Sequence, residues 1–124
     1  IDTLNGGLGN DTLTGEAGAD RFLFNSGLGN TNVDKVTDFD GTQDVLQLEN
    51  AIFTAIGAVG AFAAADARFF AGAAAHDAND RIVYDTSTGA LYYDADGNVA
   101  TFSPVQFATL TNHASLTAND IVVV

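Results

Sequence analysis

The sequence predicts a mainly β protein, a flattened solenoid of short coils followed by a β-rich cap with a short helix. Three observations predict it. Asp2, Asp11 and Asp20 stand nine residues apart, and two positions after each comes a large apolar side chain, Leu4, Leu13 or Phe22. Fourteen of the 16 acidic residues are Asp and Gly occurs 13 times, a bias away from helix formers and toward turns. The second half contains β-rich runs separated by turn residues, as in Asp80–Asp85, Ala90–Asp94 and Val105–Leu110.

The repeat is read position by position. Gly6-Gly7-Leu8-Gly9-Asn10-Asp11-Thr12-Leu13-Thr14 is a complete nine-residue unit, and Gly15-Glu16-Ala17-Gly18-Ala19-Asp20-Arg21-Phe22-Leu23 is a looser copy. Six residues make a turn. Its glycines allow positive φ and bring carbonyl oxygens toward one point, where the Asp adds a carboxylate, an all-oxygen shell of the kind calcium prefers. The other three form a short strand whose middle side chain points inward, so stacking should superimpose Leu4, Leu13 and Phe22 as an interior column. With successive turns on opposite edges, carboxylates 18 residues apart share a side, relating Asp2 to Asp20 and Asp20 to Asp38. Gly27-Leu28-Gly29-Asn30-Thr31 reads as a worn repeat with Thr31 in place of the Asp.

At these residues the chain resembles the RTX family, the hemolysin-type calcium-binding repeat proteins exported by Gram-negative bacteria. Similar families continue with segments like Gly18–Phe24, an acidic loop, Asp34–Phe39 and Gly41–Leu48. The resemblance implies a parallel β-roll with calcium in its turns, a capping region, and export by a type I secretion apparatus. The metal positions expected on this basis are Asp2, Gly6, Gly7, Gly9, Asp11, Gly15, Gly18, Asp20, Asp38 and Asp44. Calcium is the expected cofactor. Residues 1–49 should hold the repeats and cap strands, and residues 50–124 a capping and secretion-signal region, within one continuous domain. The chain starts at Ile1 and has no Met, and it reads as a C-terminal fragment of a longer secreted protein.

In the second half, Ala63–Phe70 is the best helix candidate by propensity, with Phe62, Phe69 and Phe70 as packing residues. Asp80–Asp85 and Ala90–Asp94 flank Thr86-Ser87-Thr88-Gly89 as a hairpin. Asp94-Ala95-Asp96-Gly97-Asn98 begins like an EF-hand loop. Its Gly falls at the fourth position and Val105 at the twelfth, where that loop requires Gly at the sixth and Glu at the twelfth, so a tight Asp-Gly turn is the better reading. Val105–Leu110 returns as a strand. Asp120-Ile121-Val122-Val123-Val124 resembles the uncleaved C-terminal signal of type I substrates, and it can equally form a final edge strand.

Charge narrows the partners. Four Lys+Arg against 16 Asp+Glu give a formal net charge of -12, which argues against nucleic acid and anionic membrane surfaces and for cations. The apolar stretch Asn50–Ala65 is shorter than the ~20 residues of a membrane span. The absence of Cys removes disulfides and thiolate zinc sites. His76 and His113 read as surface loop residues, with no His-Glu-x-x-His pair and no Gly-x-Ser-x-Gly elbow. The expectation is a non-catalytic calcium-binding module. The alternative is a polysaccharide- or cell-surface-binding module that presents Tyr84, Tyr92 or Tyr93.

Overall fold

Successive coils of the chain alternate between two sheets. In the computed structural model, which describes residues 1–124, β1 (Thr3–Leu4), β3 (Arg21–Phe24) and β5 (Val45–Leu48) run parallel in one sheet. The intervening β2 (Thr12–Leu13) and β4 (Asp34–Val36) run parallel in the other. This alternation is the roll expected from the repeat. The apolar residue of each coil enters the space between the sheets: Phe22, Val36 and Leu46 are fully buried and Leu13 nearly so. The interior residues form two columns, however, because Leu4 pairs with Phe22 in one sheet while Leu13 pairs with Val36 in the other. A single superimposed column of Leu4, Leu13 and Phe22 does not form.

The remaining strands extend these same sheets. They are β6 (Gly60–Ala61), β7 (Phe69–Ala71), β8 (Ile82–Asp85), β9 (Ala90–Tyr93), β10 (Val105–Leu110) and β11 (Ile121–Val123). One sheet has the order β1-β3-β5-β11-β6 and the other β2-β4-β10-β9-β8-β7. β8 and β9 form the antiparallel hairpin expected over residues 80–94, closed by Thr86–Gly89. β10 spans the expected 105–110 and pairs parallel with β4. Both sheets therefore run from residues before position 50 to residues after it.

Two local expectations fail. Ala63–Phe70 is not helical: Asp66 and Arg68 stabilise turns there, and Phe69–Ala71 pairs parallel with Ile82–Tyr84. An isolated run of this length pays the full cost of helix nucleation, and strand pairing outweighs the propensity of its alanines. Helical geometry is confined to the 3-10 turn Ala118–Asp120. The terminal strand is also not at the edge, because β11 lies between β5 and β6. Its Ile121 and Val123 are fully buried, and burying such side chains contributes ~1.5–3 kcal/mol each.

The core is one cluster. Phe53 contacts Phe107 edge-on at a centroid distance of 5.0 Å, Phe107 contacts Phe24 at 5.3 Å, and Phe53 contacts Tyr93 at 5.2 Å. These pairs join the roll strand β3 to strands of the second half. Phe62 is buried beneath the Arg68 guanidinium, 3.9 Å from the ring centroid, in its expected packing role. Tyr84 and Tyr93 belong to the core, with the Tyr84 hydroxyl donating to Ala114 O and the Ala55 N–H donating to the Tyr93 hydroxyl. Neither can present a ring to a glycan; of the three tyrosines only Tyr92 is half-exposed.

Candidate calcium-binding turns

Each turn of the roll is tied to the turn stacked on it by backbone N–H groups that donate to Asp or Asn side chains. On one edge the turn Gly6–Asp11 meets the segment Asn25–Asp34. The Asp11 N–H donates to Asp34 Oδ1 at 3.0 Å, the Gly9 N–H to Asn32 Oδ1 at 3.0 Å, and the Val33 N–H to Asn10 Oδ1 at 2.8 Å. On the opposite edge the turn Gly15–Asp20 meets Asp38–Asp44. There the Gly15 and Glu16 N–H groups donate to the two oxygens of Asp38 at 2.9 and 2.7 Å, and the Asp20 N–H donates to Asp44 Oδ1 at 2.9 Å. Asp20 in turn accepts from the Asp2 N–H at 2.7 Å.

These contacts revise the expected stacking. The 18-residue spacing holds from Asp2 to Asp20, but the next carboxylate above Asp20 is Asp44, not Asp38. Asp38 sits over Gly15 and Glu16 instead. The strand register shows the cause: Thr3 pairs with Arg21, 18 residues on, whereas Arg21 pairs with Val45, 24 residues on. The coil through Asn25–Val33 is longer than a nonapeptide and displaces everything after it. Asp34, which the nine-residue count skips, thereby arrives beside Asp11. In Asp34-Lys35-Val36 the burial alternates, with Asp34 and Val36 inward and Lys35 outward, and the Asp-Lys-Val sequence has no apolar alternation to announce it.

Two carboxylate oxygens of the roll carry an unmet demand. Asp11 Oδ2 and Asp20 Oδ2 are buried and have no hydrogen-bond donor. A buried carboxylate oxygen without a donor of its own is costly, so both positions fit a cation. Asp34 is nearly buried, and its carboxyl is held above the ordinary range by burial, with a further push from the Asp11 charge and a partial offset from the Asp11 N–H. Around these oxygens the glycines leave room. A Cβ at Gly6 would lie 2.7 Å from Asp11 Oδ2 and 2.9 Å from Asp34 Oδ2, and one at Gly15 would lie 2.8 Å from Asp20 Oδ2.

The other expected positions separate by role. Gly7, Gly9 and Gly18 all have φ in the left-handed region, at 78°, 114° and 136°, which shapes the turns. Asp2 is exposed and engages the stack through its backbone, its N–H bonded to Asp20 and its carbonyl accepting from Arg21 N. Asp44 is buried with both oxygens engaged, Oδ1 by Asp20 N and Oδ2 by Asp40 N. Hydrogen bonds from Thr42 and Gln43 hold the Asp40 carboxyl below its ordinary value and close that turn. Asp94–Asn98 forms the Asp-Gly turn expected there, with Gly97 at φ 64° and Asp96 N donating to Asp94 Oδ1 at 3.3 Å.

The parallel roll stacks acidic turns and leaves two of their buried carboxylate oxygens without a donor, an arrangement that suits a cation. The family model described as RTX calcium-binding nonapeptide repeat (4 copies) matches residues 1–30. The chain carries RTX repeats over those residues, and such repeats bind calcium ions. The repeat family is generally non-catalytic. No curated protein matches the chain. No helix is long and apolar enough to cross a membrane.

Proposed function

We propose that this chain is a non-catalytic calcium-dependent folding module, residues 1–49 holding the metal and residues 50–124 capping the roll and carrying a type I secretion signal. The observation that supports it is the pair of buried, unpartnered oxygens on Asp11 and Asp20, within turns of the matched repeat. Asp11 and Asp34 would hold one ion, with turn carbonyls near Gly6, Gly7 and Gly9. Asp20 would hold another with carbonyls near Gly15 and Gly18, while Asp2, Asp38 and Asp44 brace the turns around it through their backbone or carboxylate hydrogen bonds. Calcium supplies charge neutralisation and 6–8 coordination positions at about 2.3–2.6 Å. Without it, like charges face one another at each turn and the glycine-rich backbone gains entropy by opening.

Coupling of the ion to folding follows from mass action. Binding only the folded roll at tenfold above the dissociation constant adds about 1.4 kcal/mol per site. Extracellular calcium modules bind at about 10⁻⁴ to 10⁻³ M, so the roll stays open inside a cell and orders outside it. An open roll leaves the C-terminal segment readable for export, after which Ile121 and Val123 enter the core. Circular dichroism and thermal midpoint are measured against calcium and, separately, magnesium. Calcium should raise both the β signal and the midpoint, with magnesium much less effective. Equal stabilisation by the two ions, or none by either, would overturn the reading.

A further inference from the structure

A second cluster of metal-ligating side chains lies away from the roll, in the loop between β7 and β8. Donor atoms of His76, Asp77 and Asp80 lie within 4.8 Å of one another. We propose that these three residues form a site for a divalent transition ion of the zinc class, chemically distinct from the oxygen-lined turns of the roll.

The loop is built around Asp80, which is fully buried. Its Oδ2 accepts from the His76 N–H at 2.7 Å and the Asp77 N–H at 3.3 Å, and it lies 2.7 Å from His76 Nδ1. A carboxylate on Nδ1 sets the ring tautomer and leaves the Nε2 lone pair free, the outer-shell arrangement common behind metal-bound histidines. His76 Nε2 lies 3.4 Å from Asp77 Oδ2. That separation matches two ligands on one tetrahedral ion with bonds of about 2.0–2.2 Å. The ring is held from a second direction by Phe70, stacked at 3.9 Å between centroids and 20° between planes. Asn98 braces the backbone, donating from its N–H to Asp77 O at 2.9 Å and from Nδ2 to His76 O at 3.1 Å.

The carboxylate behind the ring adds uncompensated negative charge, which favours a cation in front of it. Asp80 Oδ1 is buried with no hydrogen-bond partner, and no Lys or Arg forms an ion pair with this carboxylate. An ion on the exposed face of His76 supplies positive charge to Asp80 through the imidazole and takes Asp77 as a second ligand. The imidazole selects against calcium and magnesium, which favour oxygen, and for zinc, copper or nickel. The remaining positions on the ion face solvent and would be filled by water.

Zinc binding is measured calorimetrically on the full chain in millimolar calcium, which keeps the roll saturated. The wild type should bind one zinc that His76→Gln loses and His113→Gln retains. His76→Gln keeps a side-chain amide that can donate to Asp80, and a thermal midpoint in calcium that stays well above the assay temperature checks that the variant is folded. Asp80→Asn should weaken zinc at least tenfold, the usual cost of losing an outer-shell partner. The His76 Nε2 resonance should shift on adding zinc. Unchanged zinc stoichiometry and affinity in His76→Gln, or no zinc bound by the wild type in millimolar calcium, would overturn the proposal.

Discussion

Asp34 Oδ1 accepts the backbone N–H of Asp11 at 3.0 Å, joining two turns whose residues lie 23 positions apart in the chain. The bond brings together two buried or half-buried carboxylates, leaving Asp11 Oδ2 without a donor. This hydrogen bond is one of several that tie the two coils, and it also holds two negative charges in proximity. A cation would relieve that conflict, and the proposed coupling of folding to metal binding rests on it.

Gly6 tests the room left for that cation. Gly6→Ala places a methyl group 2.7 Å from Asp11 Oδ2, so the carboxylate must move. Calcium affinity should fall at least tenfold by titration calorimetry. Gly27→Ala, where a Cβ meets nothing within 4 Å and φ is not positive, should leave it unchanged.

Asp34→Asn separates charge from geometry. The amide oxygen can still accept the Asp11 N–H, while the like charge beside Asp11 is gone. The calcium-free protein should gain thermal stability, and the increment produced by calcium should shrink. A variant less stable without calcium than the wild type would show that the carboxylate charge is not repulsive there.

Asp66 gives a pH signature outside the roll. Arg68 donates to both its oxygens at 2.9 and 2.8 Å and holds its carboxyl well below the ordinary value of 3.8, at about 2. A depressed folded pKa contributes stability that is present above the unfolded pKa and is lost as pH falls through the folded one. Allowing for partial solvent exposure, that contribution is about 1–2 kcal/mol. Asp66→Asn should therefore lower stability by this amount at pH 7, and the difference from wild type should vanish between about pH 4 and 2. Denaturant titrations across that range measure it.

Ile121 separates the structural role of the terminus from its proposed role in export. Ile121→Ala removes fully buried apolar volume from a strand between two neighbours and should cost about 2–5 kcal/mol of stability. Export of a fused reporter through a type I apparatus should be retained if the proposed signal is read on the unfolded chain. Deleting everything after Asn98 should abolish export. Secretion of the truncated chain at the intact level would reduce the terminus to a core strand.

How much was legible in the residues follows the range of the interactions. The six-residue turn and three-residue strand around Asp11, the β8–β9 hairpin and the β10 strand rest on neighbours in sequence: glycine φ, apolar alternation and short turn chemistry. The same nine-residue pattern pointed to carboxylates and carbonyls as calcium ligands. Counting by nine could not place Asp34 or align Asp44 with Asp20, because the longer Asn25–Val33 segment changes the offset without leaving a periodic signal.

The sequence by itself determined the acidic turns, the inward apolar residue of each coil and the preference for a hard cation, since each depends on a few adjacent side chains. Tertiary structure decided which turns stack, that Phe69–Ala71 pairs as a strand, and that Ile121 lies beside Leu46 in parallel register. It also gathered His76, Asp77 and Asp80 around a buried carboxylate, which no motif announces. These outcomes depend on one core shared by distant segments, where pairing that buries Phe22, Leu46 and Ile121 together outweighs local preference.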